Sequence, residues 1–352
     1  MKLKLQRREQ KVISLTPIRI ERELSRFPIH QLAKKGNLNI DIRGRDRNGR
    51  EFRWMVAPNR VYGEPKELAY KIDTLLINRR IEEAGKTKPK VIKLGSLRAI
   101  CRELGLNEGK AVKNVKNALR QNAHTGITAK VTYRCQDGTE RSIEGDFNRY
   151  SVVFTGERLP DGHRATAVYI ILNDVYREVL NNAGTRPLDY DYLKILPPAS
   201  QRFYELVSPQ IFAAIKYKLP FARYAYSEFC IYSALTRYTD AKKVKKQLYK
   251  ITQVHKQSGY LEAVSYRETT DSVGKPDWWI HLVPGRRALA EFKQFARKQE
   301  NKELPSLEMA LPKGKSVETQ LLDDGTEEDR LQGFQQSFLC DLIKEAIDKC
   351  DK

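Results

Sequence analysis

Lys242, Lys243, Lys245, Lys246 and Lys250 put five ammonium groups into the eleven residues from Asp240 to Lys250. An ammonium is a compact point charge suited to a phosphate oxygen, so the chemistry on offer is the binding of a polyanion. Other constellations that do chemistry are missing. The five histidines, His30, His124, His163, His255 and His281, form no HxH or HExxH pair. That removes the metal-holding helix face and the histidine pair of a rolling-circle nickase. The stretch "KGKS" at 313–316 ends like a phosphate loop, but Met309 stands where its first glycine belongs, and prolines flank it. There is no G-x-S-x-G elbow, and no acidic cluster stands out as a two-metal nuclease site. A binder that works without catalytic residues, metal or cofactor is the expectation.

The lysines need an element to present them, and the local pattern supplies one. Asp240 is a good N-cap, and Val244, Leu248, Ile251 and His255 recur at i, i+4, i+7 and i+11, the spacing of one packed helical face. Gly259 sits where a C-cap glycine belongs, and Leu261-Glu262-Ala263-Val264 alternates as a strand does. Most of the lysines are expected to serve phosphates. Gln247, Tyr249 and Gln253 are the candidates for pairing with base edges. Arg286 and Arg287 follow the next strand and are expected to reach backbone phosphates. His255 lies on the packed face and reads as a core histidine. At least one of Trp278 and Trp279 is assigned to the core.

The whole chain agrees with that partner. Its 352 residues carry a formal charge of +20 and a pI near 9.6, a balance that attracts nucleic acid or an anionic membrane face. The longest apolar run, "AVYIIL" from Ala167 to Leu172, falls far short of the ~20 residues a membrane span needs. The basic N-terminus has no apolar run behind it, so no signal peptide is expected. Cys101, Cys135, Cys230, Cys340 and Cys350 are odd in number and contain no CxxC, which reads as reduced thiols in a cytoplasmic protein. Double-stranded DNA, and no membrane, is the expected partner.

The pattern around the lysine helix occurs twice. Helical periodicity over "PKELAYKIDTLLINRRIEEAG", "GSLRAICRELG" and "NEGKAVKNVKNALRQNA" precedes "GITAKVTYR", a turn, and "RSIEGDFNRYSVVF". Helix, helix, helix, strand, turn, strand is the winged-helix order. Downstream, "SQRFYELVSPQIFAAIKYK", a helical pattern interrupted near Pro209, and "YSEFCIYSALTRY" lead into the lysine helix, a wing tip "TTDSVGKPD" and a returning strand "WWIHLVPG". A shift of 133 residues lays Gly126 on Gly259, Val115 on Leu248 and Ala118 on Ile251. Lys110, Lys113, Lys116, Asn117 and Arg120 then hold the positions of the second-copy lysines.

The expected fold is α+β, with two tandem winged-helix domains, a basic N-terminal arm and hairpin, and a partly disordered C-terminal tail. Residues 1–62 form the arm and hairpin, 63–185 the first winged helix, and 186–296 the second. Residues 297–352 form an acidic linker and a short amphipathic helix.

"FPIHQLAKKG", "YGEP" before a helix, and "LPPASQRFYELVS" opening the second repeat resemble plasmid replication initiators of the replication initiator protein A type. These are related in architecture to the iteron-binding initiators. The resemblance implies binding to tandem direct repeats at a plasmid origin, melting of adjacent AT-rich DNA, and recruitment of the host initiator and replicative helicase. It implies that Lys242 to Gln253 make the main base contacts, and that Lys110 to Arg120 contact the DNA backbone or support self-association as a dimer. Two alternatives stand beside it: a winged-helix transcriptional regulator on a palindromic operator, and an enzyme acting on nucleic acid.

Overall fold

A computed structural model describes residues 15–33, 40–45, 49–271 and 273–303. The basic arm and the expected C-terminal amphipathic helix lie outside them. In chain order the elements are β1 (Pro17–Glu21), a 3-10 turn (Leu24–Arg26), β2 (Ile40–Arg45) and β3 (Glu51–Ala57). Then come α1 (Glu67–Lys71), a π-helical stretch (Ile72–Ile77) continuous with α2 (Asn78–Glu83), β4 (Val91–Gly95), α3 (Leu97–Glu103) and α4 (Val112–Ala123). β5 (Gly126–Arg134), β6 (Glu140–Phe147), β7 (Tyr150–Val153), β8 (Val168–Leu172), α5 (Asp174–Asn182), β9 (Thr185–Asp189) and α6 (Tyr190–Ile195) follow. The second half contains α7 (Pro198–Lys216), β10 (Ala222–Ala225), α8 (Tyr226–Tyr232), α9 (Ala241–Gln257), β11 (Leu261–Thr270), β12 (Pro276–Pro284) and α10 (Arg286–Glu303). The fold is mixed α/β, with several small sheets.

Two apolar clusters organise these elements. The first gathers α1 to α5 and the sheets around them, with Trp54, Ile72, Leu76, Val115 and Leu119 nearly inaccessible. The second gathers α6 to α10, β10 to β12 and β1, around Phe203, Tyr204, Phe229, Val244 and Leu248. Arg202 of α7 ties the halves together. Its guanidinium donates to the carbonyls of Ser25 (2.8 Å), Arg26 (2.5 Å) and Tyr232 (2.8 Å) and pairs with Glu205 at 3.0 Å.

The sheets differ from a simple duplication. In the second half, β10, β12 and β11 form one antiparallel sheet in that order, with Tyr266 opposite Ile280. In the first half the corresponding hairpin, β5–β6, does not pair with β4. It joins β3 and β2 in the order β2-β3-β5-β6, while β4 pairs with β8 in a separate sheet, β4-β8-β7. The hairpin at 40–57 is therefore no independent arm: Ile40, Trp54 and Val56 are buried in the first cluster. β1 pairs with β9 across the chain, Pro17 opposite Asp189. The boundary expected at 185/186 falls inside β9.

Two further expectations change. α7 runs unbroken through Pro209. Proline lacks the N–H that would bond the Glu205 carbonyl, and the Ser208 hydroxyl donates to that carbonyl instead, at 3.4 Å. α10 continues to Glu303, past the expected start of the linker at 297.

Candidate nucleic-acid interface

α9 begins at its predicted cap. The Asp240 side chain accepts from the Lys243 amide at 2.8 Å, satisfying a first-turn donor that the helix leaves open. At the other end Gly259 adopts φ +72°, and the amides of Gly259 and Tyr260 bond the carbonyls of Lys256 (3.1 Å) and His255 (2.9 Å). That pair of bonds is a Schellman closure, and it delivers the chain into β11.

The inner face of α9 is closed by Val244, Leu248, Ile251, Thr252 and His255, all buried. His255 is fully engaged: Nδ1 lies 2.7 Å from the Tyr192 hydroxyl and Nε2 lies 3.1 Å from the Ser200 carbonyl. Burial pushes its pKa down to about 4, so the ring is neutral near pH 7 and works as a core linker.

The outer face is cationic. Lys242, Lys243, Lys245, Lys246 and Lys250 are exposed. Among the described residues, none of the five pairs with a carboxylate. At 3.6 residues per turn, Lys242, Lys246, Tyr249, Lys250 and Gln253 form a stripe about 100° wide opposite the packed face. Tyr249 is 60% exposed on it. Gln253 is half-buried, with no side-chain hydrogen bond among the described residues. Gln247 does not belong to the stripe. Its Oε1 accepts from the Tyr226 hydroxyl at 2.7 Å and its Nε2 donates to the Thr236 carbonyl at 3.1 Å. Both ends of the amide are thus engaged in holding the α8–α9 loop.

Beside α9 stands the β11–β12 hairpin. Asp271 shapes its tip: one carboxylate oxygen accepts from the amides of Val273 (3.0 Å) and Lys275 (2.9 Å), and the other pairs with Arg237 at 2.6 Å. This leaves Val273, 76% exposed, at the tip with Lys275. Arg267 is exposed on β11, but it alternates with Val264 and Tyr266, which pack on the second cluster, and so projects from the other face of the strand. The sequence points to the turn but not to Lys275; a cation within that turn is the available signal.

The two arginines after β12 part company. Arg286 is exposed at the start of α10. Arg287 turns inward, pairs with the buried Asp189, approaches Glu291 at 3.4 Å and lies 4.3 Å over the Tyr192 ring. It is a core cation, engaged where a phosphate contact was expected, and of the two only Arg286 is exposed. One guanidinium between two buried carboxylates cannot neutralise both, and burial raises the Glu291 pKa to about 8. Trp278 is buried at 4% exposure, while Trp279 carries the Arg223 guanidinium 4.1 Å above its ring.

In the first half, Lys110, Lys113 and Asn117 are exposed on and before α4. Lys116 and Arg120 instead lie along the protein surface. The Lys116 ammonium is 4.6 Å from the Phe154 ring centre, and the Arg120 guanidinium is 5.3 Å from Phe154 and 5.6 Å from Tyr62. Cations of the neighbouring hairpins have acidic partners: Lys130 pairs with Glu144, Arg141 with Glu178 of α5, Arg50 with Glu140, and Arg43 and Arg53 with Asp41. The unneutralised charge of the second half therefore has only a partial counterpart here.

Comparison with known proteins adds little. The chain matches no family model and no curated protein. It is similar to the crystal structure of selenomethionine derivatives of domains 2 and 3 of RctB, at 13% identity and a TM-score of 0.39, over 72% of this chain and 94% of that one. A likeness that slight carries no argument. Among the described residues no group of three or more His, Cys, Asp or Glu side chains is placed to hold a metal, and no helix is long and apolar enough to cross a membrane.

Proposed function

We propose that this protein is a sequence-specific duplex-DNA-binding protein built from two winged-helix units, and that it initiates plasmid replication by engaging tandem repeats at an origin. The observation that carries the reading is the outer face of α9. Five lysines with no carboxylate partner among the described residues, an exposed tyrosine and a glutamine without a side-chain hydrogen bond there stand beside a hairpin that carries Lys275 at its tip. In the second unit α7, β10, α8, α9, β11 and β12 follow the winged-helix order, and α9 is the recognition helix. Its lysines bind phosphates, and Tyr249 and Gln253 face the base edges.

The mechanism is physical work without covalent chemistry. Protomers on adjacent repeats strain the duplex, deformation gathers at flexible steps nearby, and melting follows there. Self-association through the first unit, and recruitment of a host initiator and replicative helicase, belong to the same reading and rest on the sequence resemblance. With about six phosphate contacts, log K falls against log salt with a slope near −5.

The test is a footprint of the purified protein on the DNA flanking its own gene at moderate salt. Several protected direct repeats at equal spacing are expected. A single protected palindrome at a promoter would make the protein a transcriptional regulator instead.

A further inference from the structure

One basic element remains unassigned. Between β7 and β8 the chain leaves the first unit as a compact finger, residues 154–165, held by its own backbone. The Gly156 and Ala165 amides bond the Ala165 and Glu157 carbonyls, both at 2.8 Å, and the Leu159 amide bonds the His163 carbonyl at 2.8 Å. Its two acids are engaged in shaping it: Glu157 accepts from the Phe154 amide at 2.9 Å and Asp161 from the His163 amide at 3.0 Å.

Its cations are not so engaged. Arg158 and Arg164 are directly opposed in an antiparallel bridge and both are exposed, with His163 beside them. Directly opposed residues share a face, and like charges placed so repel. Among the described residues no carboxylate pairs with either arginine. This sets the finger apart from the β2–β3 and β5–β6 hairpins, where Arg43, Arg50, Arg53, Lys130 and Arg141 each have an acidic partner. The finger is also rooted at α4: Phe154, 5% exposed, lies under both Lys116 and Arg120. The Glu157 amide bonds the Phe154 carbonyl at 3.0 Å, closing a turn at that root, and the repelling arginine pair follows directly after it, one turn from the α4 cations.

We infer that the 154–165 finger is a second DNA-backbone clamp, whose Arg158 and Arg164 grip phosphates of the same duplex that α4 faces. The inference rests on the duplex-binding reading above and adds to it a contact outside both recognition helices. A phosphate between the two guanidiniums relieves their repulsion, and Arg presents the forked donors that suit a phosphate.

The experiment uses the full chain and a fluorescein-labelled duplex carrying the footprinted sequence, with binding followed by anisotropy across a salt series. Arg158→Ala with Arg164→Ala is expected to weaken binding about tenfold or more and to make the salt slope shallower by about 2. Arg158→Lys with Arg164→Lys is expected to keep most of the affinity and the slope. Both side chains are exposed, so melting by circular dichroism is expected to stay unchanged, and a fall in melting temperature with unaltered binding would assign them a structural role instead. Wild-type affinity and slope in the alanine variant, with Lys246→Ala/Lys250→Ala impaired, would overturn the clamp and leave the DNA reading standing. No binding of the duplex by the wild-type chain would overturn both.

Discussion

α4 and α9 are alike inside and different outside. Under the shift of 133 residues, Val115, Ala118, Leu119 and Asn122 match Leu248, Ile251, Thr252 and His255, and all eight are buried. The last pair is the most telling. Asn122 donates to the Ala69 carbonyl at 2.8 Å and meets His30 at 3.0 Å, while His255 meets the Ser200 carbonyl at 3.1 Å and Tyr192 at 2.7 Å. Each helix thus uses a buried polar side chain at this position to fasten itself to an earlier helix of its own half. The outer faces share no such correspondence: α9 projects free lysines, whereas α4 lays Lys116 and Arg120 over aromatic rings. Helix docking fixes the inner positions, and the solvent face is left free to take a different task.

The largest expected effect tests that outer difference. Lys246→Ala with Lys250→Ala should weaken duplex binding by on the order of tenfold per lysine and make the salt slope shallower by about 2. Lys113→Ala with Lys116→Ala should do less. Equal losses in a salt-dependent anisotropy titration would erase the functional distinction between the helices.

The inner likeness is tested by Asn122→Ala and His255→Ala, each of which removes the buried side-chain hydrogen bonds that join its helix to an earlier one. Each should cost ~2 kcal/mol in chemical denaturation. A cost confined to one of them would undo the equivalence.

The smallest effect concerns a feature of the second half, Glu291. With its pKa near 4.5 unfolded and about 8 folded, the native state holds an extra proton between those values. Stability from this group is therefore present at low pH and is lost as pH rises from about 4.5 to about 8. Glu291→Gln keeps an acceptor for the Tyr204 hydroxyl, which donates to Glu291 at 2.9 Å. It should melt at least as high as wild type above pH ~8, and nearly alike near pH ~5. Parallel melting curves across that range would mean that Arg287 keeps the carboxylate ionised throughout.

Local features were legible in the sequence because local physics sets them. Asp240 caps α9, Ser96 caps α3, and Gly259 closes α9 as a left-handed residue. The 3.6-residue period placed Val244, Leu248, Ile251 and His255 on the packed face. Strand partners were not legible, since β3 with β5, β4 with β8 and β1 with β9 are chosen by packing across long separations. Side-chain commitment failed for the same reason. Gln247 and Gln253 are one residue type on one helix, and Tyr226 and Thr236, brought in by another segment, decide which of them is engaged. Arg286 and Arg287 are adjacent, and only Arg287 meets buried Asp189. The repeat suggested Gly126 as a second cap glycine, but it opens β5 without a positive φ, so the two helix ends are closed differently.

The pairing of β1 with β9 also has a temporal side. Glu21 meets Thr185 and Pro17 meets Asp189, so the early strand leaves the ribosome well before its partner exists. At ~5–20 residues per second, that wait is roughly 8–35 s. During it, Ile18 and Ile20, destined for the second apolar cluster, have no completed surface to join, although every element of the first cluster from β2 to α5 has by then been synthesised. The strand is thus a late-closing latch, and on a nascent chain its exposed edge is a natural place for a chaperone to hold.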